Sequence, residues 1–253
     1  MSRPETEIPL DQGALLIAAA GDPSLDVASG LAHLDRLAEQ VDGIGCANVC
    51  RLVFETLGMR GDHQTYDDPE NSYLHRVISR RMGIPITLSV LLIEIGRRCG
   101  VALEGVGMPG HFLVRDPSDP DLLIDAFSGG ARLDRAGCAG LMQSVLGPGF
   151  EFQEAMLGTT GSRAILARML ANLDASFRRR LDLEGCRWVT RLRVAIPDIP
   201  FRDRVGLANG LATMGYYEDA AAMLEMLATE SGTPIEAADA LRTRARHLIS
   251  RFN

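Results

Sequence analysis

The 253-residue sequence predicts an α+β fold: a helical start, a few short strands following one buried helix, and an all-helical end. Three observations carry that expectation. Apolar residues recur at helical spacing through residues 8–58, as in ALLIAAA, VASGLAHLDRLAEQV and CRLVFETLG. The stretch IPITLSVLLIEIGRRCG is apolar on most sides. The period then changes to that of strands in VALEGVG, HFLVRD and LLIDAF, which Pro, Gly, Asp and Ser separate.

Taken in order, the N-terminal helices are punctuated by GDPS and DGIG. After the polar segment GDHQTYDDPE, NSYLHRVISRRMG reads as a helix with Asn71 as its N-cap and Gly83 as its stop. Pro85 then stands near the first position of the buried helix, where a missing N–H costs nothing. Its one acidic residue, Glu94, is expected to face an arginine or a polar seam. GPGF and GTTGS mark a boundary near residues 147–162, giving domains of 1–157 (helices in 1–70, buried helix and antiparallel sheet in 71–157) and 158–253.

Beyond that boundary the pattern is helical to the end. LANGLATMGYYEDAAAMLEMLATESGTP resembles one tetratricopeptide unit, with Gly215 between its helices, Ala220 where they pack closely and Pro234 after the second. One clear repeat with a degenerate neighbour suits a covering role better than a long binding groove.

Composition removes several function classes. A formal charge of −7 and a pI near 5.3 argue against general attraction to nucleic acid or to anionic membranes. The arginines between Arg163 and Arg193 alternate with Asp174, Asp182 and Glu184 and read as a solvated face. All 26 basic side chains are arginine, so no Schiff-base, phosphate-loop or general-base lysine exists. Five irregularly spaced cysteines, with no signal peptide and no apolar run of transmembrane length, predict a reduced cytoplasmic protein. No metal or cofactor is expected. Cys46-x3-Cys50 lacks a second ligand pair, HExxH is absent, His63 with Asp67, Asp68 and Glu70 forms no metal pattern, and GVGMPG precedes a strand instead of a helix.

The chemistry-bearing stretch is GMPGHFLVRDPSDPDLLIDAF, residues 107–127. A hairpin centred on Ser118 sets His111 opposite Asp125, Leu113 opposite Leu123 and Arg115 opposite Asp121 on one face. The other face carries Phe112 with Ile124 and Val114 with Leu122. Cross-strand Cβ atoms lie about 5 Å apart, within reach of an imidazole–carboxylate bond. Such a bond orients a general base, and it also occurs as a purely structural pair.

NSYLHRVISRRMGIPITLSVLLIEIGRRCGVALEGVGMPGHFLVRD, followed by LLIDAFSGG, resembles the core of the SirB1 family. That family combines a transglutaminase-like domain with a tetratricopeptide-like C-terminal region. The resemblance is dense from about Tyr66 to Gly130, rests on the GIP-x-x-L and PGHF signatures, and continues more loosely through RMLANL and IPFRDRVGLA. It implies a transglutaminase-like (papain-like) core with His111 and Asp125 at the positions of the superfamily's histidine and acid. Classical members carry a cysteine near the start of the buried helix, where the helix dipole favours a thiolate. Here that turn reads Pro85, Ile86, Thr87, Leu88, Ser89. Cys99 stands at the wrong end of the helix, and Cys46 and Cys50 belong to another helix.

Two functions follow. One is a non-catalytic module that binds a peptide or protein at the retained His111–Asp125 site, with no nucleic acid or membrane partner. The other is a hydrolase or acyltransferase with Ser89 or Thr87 as nucleophile, His111 as base and Asp125 orienting it. A hydroxyl has almost no ionised fraction at neutral pH and needs an accurately placed base. Thr87 is expected to hydrogen-bond backbone and Ser89 to pack within the helix.

Overall fold

A computed structural model describes residues 9–250; residues 1–8 and 251–253, the outer ends of the two expected domains, lie outside the described residues. The architecture is α+β. Two compact units divide between Met169 and Leu170, inside the helix Ser162–Arg179 and further along than the expected 157/158 boundary. The reason lies in GTTGS: Thr159–Thr160 form a strand paired with Gly105 and Val106, so the expected linker is part of the sheet.

In the first unit, α1 (Leu10–Gly21) and α2 (Val27–Ala38) lead into α3 (Cys46–Cys50), which continues as a π-helical stretch over Arg51–Thr56. Asp26 caps α2 by accepting the N–H groups of Ala28 and Ser29. Strand β1 (Arg60–Gly61) pairs in parallel with β2 (Met82–Gly83), and α4 (Leu74–Arg80) lies between them in sequence.

Asn71 is not the N-cap of α4. It sits in a short 3-10 turn, Pro69–Ser72, and is fully buried. Its amide donates to Asp62 Oδ2 at 3.0 Å and to the Thr65 carbonyl at 2.7 Å, so it ties down the GDHQTYDD loop. The helix stops before Gly83, at Arg81, whose φ of 59° is left-handed.

Helix α5 (Pro85–Arg98) is buried from Pro85 through Gly96, as its all-round apolar sequence requires. Leu88, Leu91, Leu92 and Ile95 are fully enclosed, each contributing about 1.5–3 kcal/mol by leaving water. At its end Glu94 accepts from Arg97 Nε at 2.8 Å and Arg98 Nη1 at 2.9 Å, and both arginines also bind Asp11. Burial, with the nearby Asp11 charge, raises the Glu94 pKa.

The sheet that follows comprises β3 (Glu104–Val106), β4 (Leu113–Arg115), β5 (Leu123–Asp125), β6 (Ala131–Leu133) and β7 (Thr159–Thr160), in the order β6-β5-β4-β3-β7 and antiparallel throughout. The hairpin register differs from the expected one by two residues: Val114 pairs with Ile124 and Arg115 with Leu123. Two successive turns, Asp116 O to Asp119 N and Asp119 O to Leu122 N, centre the loop one residue later than Ser118. Arg115 therefore donates to the Leu157 carbonyl, while Asp121 meets Arg135. One face packs Val106, Leu113 and Leu123 on Cys138 and Met142 of α6 (Arg135–Leu146). Helix α7 (Ser162–Arg179) begins in this unit.

The second unit is helical: the end of α7, then α8 (Leu183–Val194), α9 (Phe201–Thr213), α10 (Tyr217–Thr229) and α11 (Ile235–Ser250). Gly215 joins α9 to α10 at φ +90°, and Ala220 is fully buried among Leu211, Leu224 and Leu227. No helix among the described residues is long and apolar enough to cross a membrane.

Candidate functional site

The PGH turn places the histidine. Gly110 adopts φ +74°, and a Cβ there would stand 2.7 Å from Val145 Cγ1, so glycine answers both the backbone and the space. The His111 N–H returns to the Met108 carbonyl at 3.3 Å. Arg168 Nη2 donates to the Met108 carbonyl at 2.8 Å and the His111 carbonyl at 2.7 Å, fixing both ends of the turn from α7. The guanidinium also lies over the Phe112 ring, and burial lowers its pKa.

Asp125 ends β5 and organises DAFSGG beyond it. Its Oδ1 accepts the N–H groups of Phe127 at 3.0 Å and Ser128 at 3.3 Å, and its Oδ2 accepts the Ser128 hydroxyl at 2.8 Å. The same Oδ1 lies 2.9 Å from His111 Nε2. Burial pushes this carboxyl up, but the histidine, through its bond and charge, and the Ser128 bonds outweigh it, leaving Asp125 below the usual carboxylate range. An ionised carboxylate only accepts, so Nε2 carries a proton in this bond, and in the neutral form of the ring the lone pair lies on Nδ1.

His111 and Asp125 are thus brought together, though not as directly opposed partners: extended from Val114↔Ile124 and Arg115↔Leu123, the β4–β5 register sets Leu113 opposite Asp125. A shift of two residues preserves the face on which each side chain lies, which is why the contact forms despite the different register. His111 is 6% exposed and Asp125 2%.

Thr87 and Ser89 are placed differently. Both are fully buried in α5, and neither hydroxyl has a hydrogen-bond partner. Thr87 therefore does not make the expected bond to backbone, and among the described residues no hydrogen bond joins either hydroxyl to His111. Among the described residues no hydrogen bond joins a cysteine to His111. Burial and then the charges of Asp134 and Asp125 raise the pKa of Cys138, the opposite of activation. Cys99, its pKa raised by burial, faces the Ala38 carbonyl at the far end of α5.

Several site residues carried no recognised signal in the sequence. Phe127 stands edge-on to the His111 ring, with centroids 6.1 Å apart, and also meets His63 at 4.4 Å and Tyr66 at 5.9 Å. His63 and Tyr66 are exposed, as are Val145 and Leu146 beside Gly110, so an aromatic and aliphatic rim borders the His–Asp pair. Ser128 was legible in principle, because Asp-x-x-Ser before two glycines is an Asx-turn pattern.

Helix α5 thus opens at Pro85, His111 stands just before β4, and Asp125 ends β5. The family model of the transglutaminase-like superfamily matches residues 28–171. The chain belongs to that superfamily. A UPF0162 protein of Xylella fastidiosa (strain 9a5c) is 38% identical over 218 residues, covering 79% of this chain and 77% of its own. A UPF0162 protein of Pseudomonas aeruginosa is 32% identical over 172 residues, covering 65% and 63%. Human F-box only protein 21 is 34% identical over 131 residues, which is 48% of this chain and 20% of that protein. No solved structure matches the chain. In this transglutaminase-like domain, no group of three or more His, Cys, Asp or Glu among the described residues could hold a metal ion.

Proposed function

We propose that this chain is a SirB1-type transglutaminase-fold protein that binds a peptide or protein segment at the His111–Asp125 site without cleaving it. The carrying observation is the contrast within one site. The His–Asp pair is intact at 2.9 Å, while the first turns of α5 hold only two buried hydroxyls with no bond to the histidine. A hydroxyl lacking a base within hydrogen-bond reach is a poor nucleophile.

The site is suited to recognition. Tyr66, Phe127, Val145 and Leu146 offer apolar contact, and Nδ1 of a ring held by Asp125 offers one oriented acceptor. The segment bound is therefore one with an apolar side chain beside a backbone or side-chain donor. The helical second unit is tetratricopeptide-like, and the protein acts in the cytoplasm.

Intact-protein mass spectrometry after treatment with a fluorophosphonate, a hydroxyl-directed covalent probe, tests this reading. No adduct is expected on Thr87 or Ser89. An adduct at either position that disappears in His111→Ala would establish the hydrolase or acyltransferase reading instead.

A further inference from the structure

The sequence pairs Cys46 with Cys50, and the function proposed above uses neither. Four residues at 1.5 Å rise place the two on one helix face with backbones about 6 Å apart, within a disulfide's Cα span, and with Cβ atoms about 5–6 Å apart, so the turn must tighten by about 1–2 Å for a bond to close. Their sulfurs are in contact, with Sγ···Sγ at 3.9 Å. Both are free thiols, Cys46 buried and Cys50 partly exposed.

We infer that Cys46 and Cys50 form a redox-reversible dithiol that closes to a disulfide by exchange with a low-molecular-weight disulfide. Cys50 is the attacking group. The bond from Cys46 and the charge of Arg132 hold its thiol below the usual range despite burial, while the shared proton and burial push Cys46 up. Burial pushes Cys99, Cys138 and Cys186 up as well, so Cys50 alone combines partial exposure with a lowered pKa.

The exchange balances in two steps. The Cys50 thiolate attacks one sulfur of RSSR, forming a mixed disulfide and expelling RS⁻. Cys46 gives its proton to solvent, attacks the Cys50 sulfur and expels the second RS⁻. Two protein thiols lose two electrons, RSSR gains them, and the two thiolates leave to be protonated.

The local backbone suits the movement from 3.9 Å to a bond of about 2 Å. Gly45, just before Cys46, sits at φ +104° with open space where a Cβ would be. After Cys50 the chain is π-helical, closing Leu57 N to Leu52 O instead of the α-helical bond. A segment bounded by a glycine and a change of helix type can retighten without moving α5.

Oxidised glutathione is the probe. Arg36 and Arg51 flank both cysteines, so trypsin releases them in one peptide, 37–51. After equilibration of the full chain at pH 7 and alkylation, that peptide is expected to lose two hydrogens and take up no alkyl group, and dithiothreitol should reverse the change. Cys46→Ser should instead keep a stable glutathione adduct on Cys50, and Cys50→Ser should acquire one on Cys46 at least about tenfold more slowly. A wild-type peptide that stays alkylatable, or that ends as a glutathione adduct, overturns the inference. That reading needs no variant to fold.

Discussion

Asp125 holds the imidazole and the following turn with the same two oxygens, so its removal has two consequences. Asp125→Ala leaves the His111 Nε2–H, two backbone N–H groups and the Ser128 hydroxyl unpaired, and is expected to cost about 3 kcal/mol in chemical denaturation. Because the folded-state pKa of Asp125 lies below its ordinary value, its contribution is present above the unfolded pKa and is lost as pH falls through the folded one. Asp62 behaves alike: burial opposes, but bonds from Thr65, Asn71 and Gln64 prevail and bring it to about 2. Asp62→Asn should therefore flatten the acid-side loss of stability between roughly pH 4 and pH 2, seen as a smaller fall in melting temperature than the wild type shows. Thr87 gives the converse case. Its buried hydroxyl has no partner, so Thr87→Val is expected to leave stability unchanged or raise it by up to about 1 kcal/mol. A clear loss would mean that the hydroxyl has a hydrogen-bonding role. The sequence made His111 and Asp125 legible because a histidine and a carboxylate fall on the same face of two adjacent strands, where they can pair. It hid the destination of Asn71, since an asparagine before a helical run is chemically fit both to cap and to bind a buried carboxylate.

Among the elements, α5 was the most legible: Pro85 at its first turn, no polar face, and glycine at its end leave little else for that stretch to be. The hairpin register was less so. Alternating residues fix which face each side chain takes, but the length of PSDPD alone does not tell which of two turn centres it adopts, and the Asp116 and Asp119 turns decide that. Thr159–Thr160 were hidden because two residues among glycines look like a linker until a sheet edge claims them. The turn after β5 yields an element-scale expectation. Gly130 sits at φ +81° and a Cβ there would lie 2.4 Å from the Phe54 ring, so Gly130→Ala combines backbone strain with a clash. A lowering of stability by about 2 kcal/mol, with the Asp125 turn loosened in amide exchange, is the expected result.

For the molecule as a whole, the family resemblance in the sequence led to the fold, and the superfamily match over residues 28–171 agrees with it. The chemistry did not follow from the fold, because a fold carries many functions and the residue types at the start of α5 decide between them. The net charge of −7 applies at this scale too: fluorescence anisotropy with duplex DNA at low salt should show no binding, and salt-dependent binding would reveal a basic surface that the charge pattern hides. The most direct test of the proposed function follows His111 itself. Long-range ¹H–¹⁵N correlation spectra of histidine-labelled protein, recorded at a pH where the ring is neutral, should show a protonated Nε2 and a bare Nδ1, and a peptide selected on the wild type should move the Nδ1 resonance equally in the wild type and in Thr87→Ala/Ser89→Ala. A bound peptide that leaves the His111 resonances unchanged, or one that is cleaved during the titration, would contradict it.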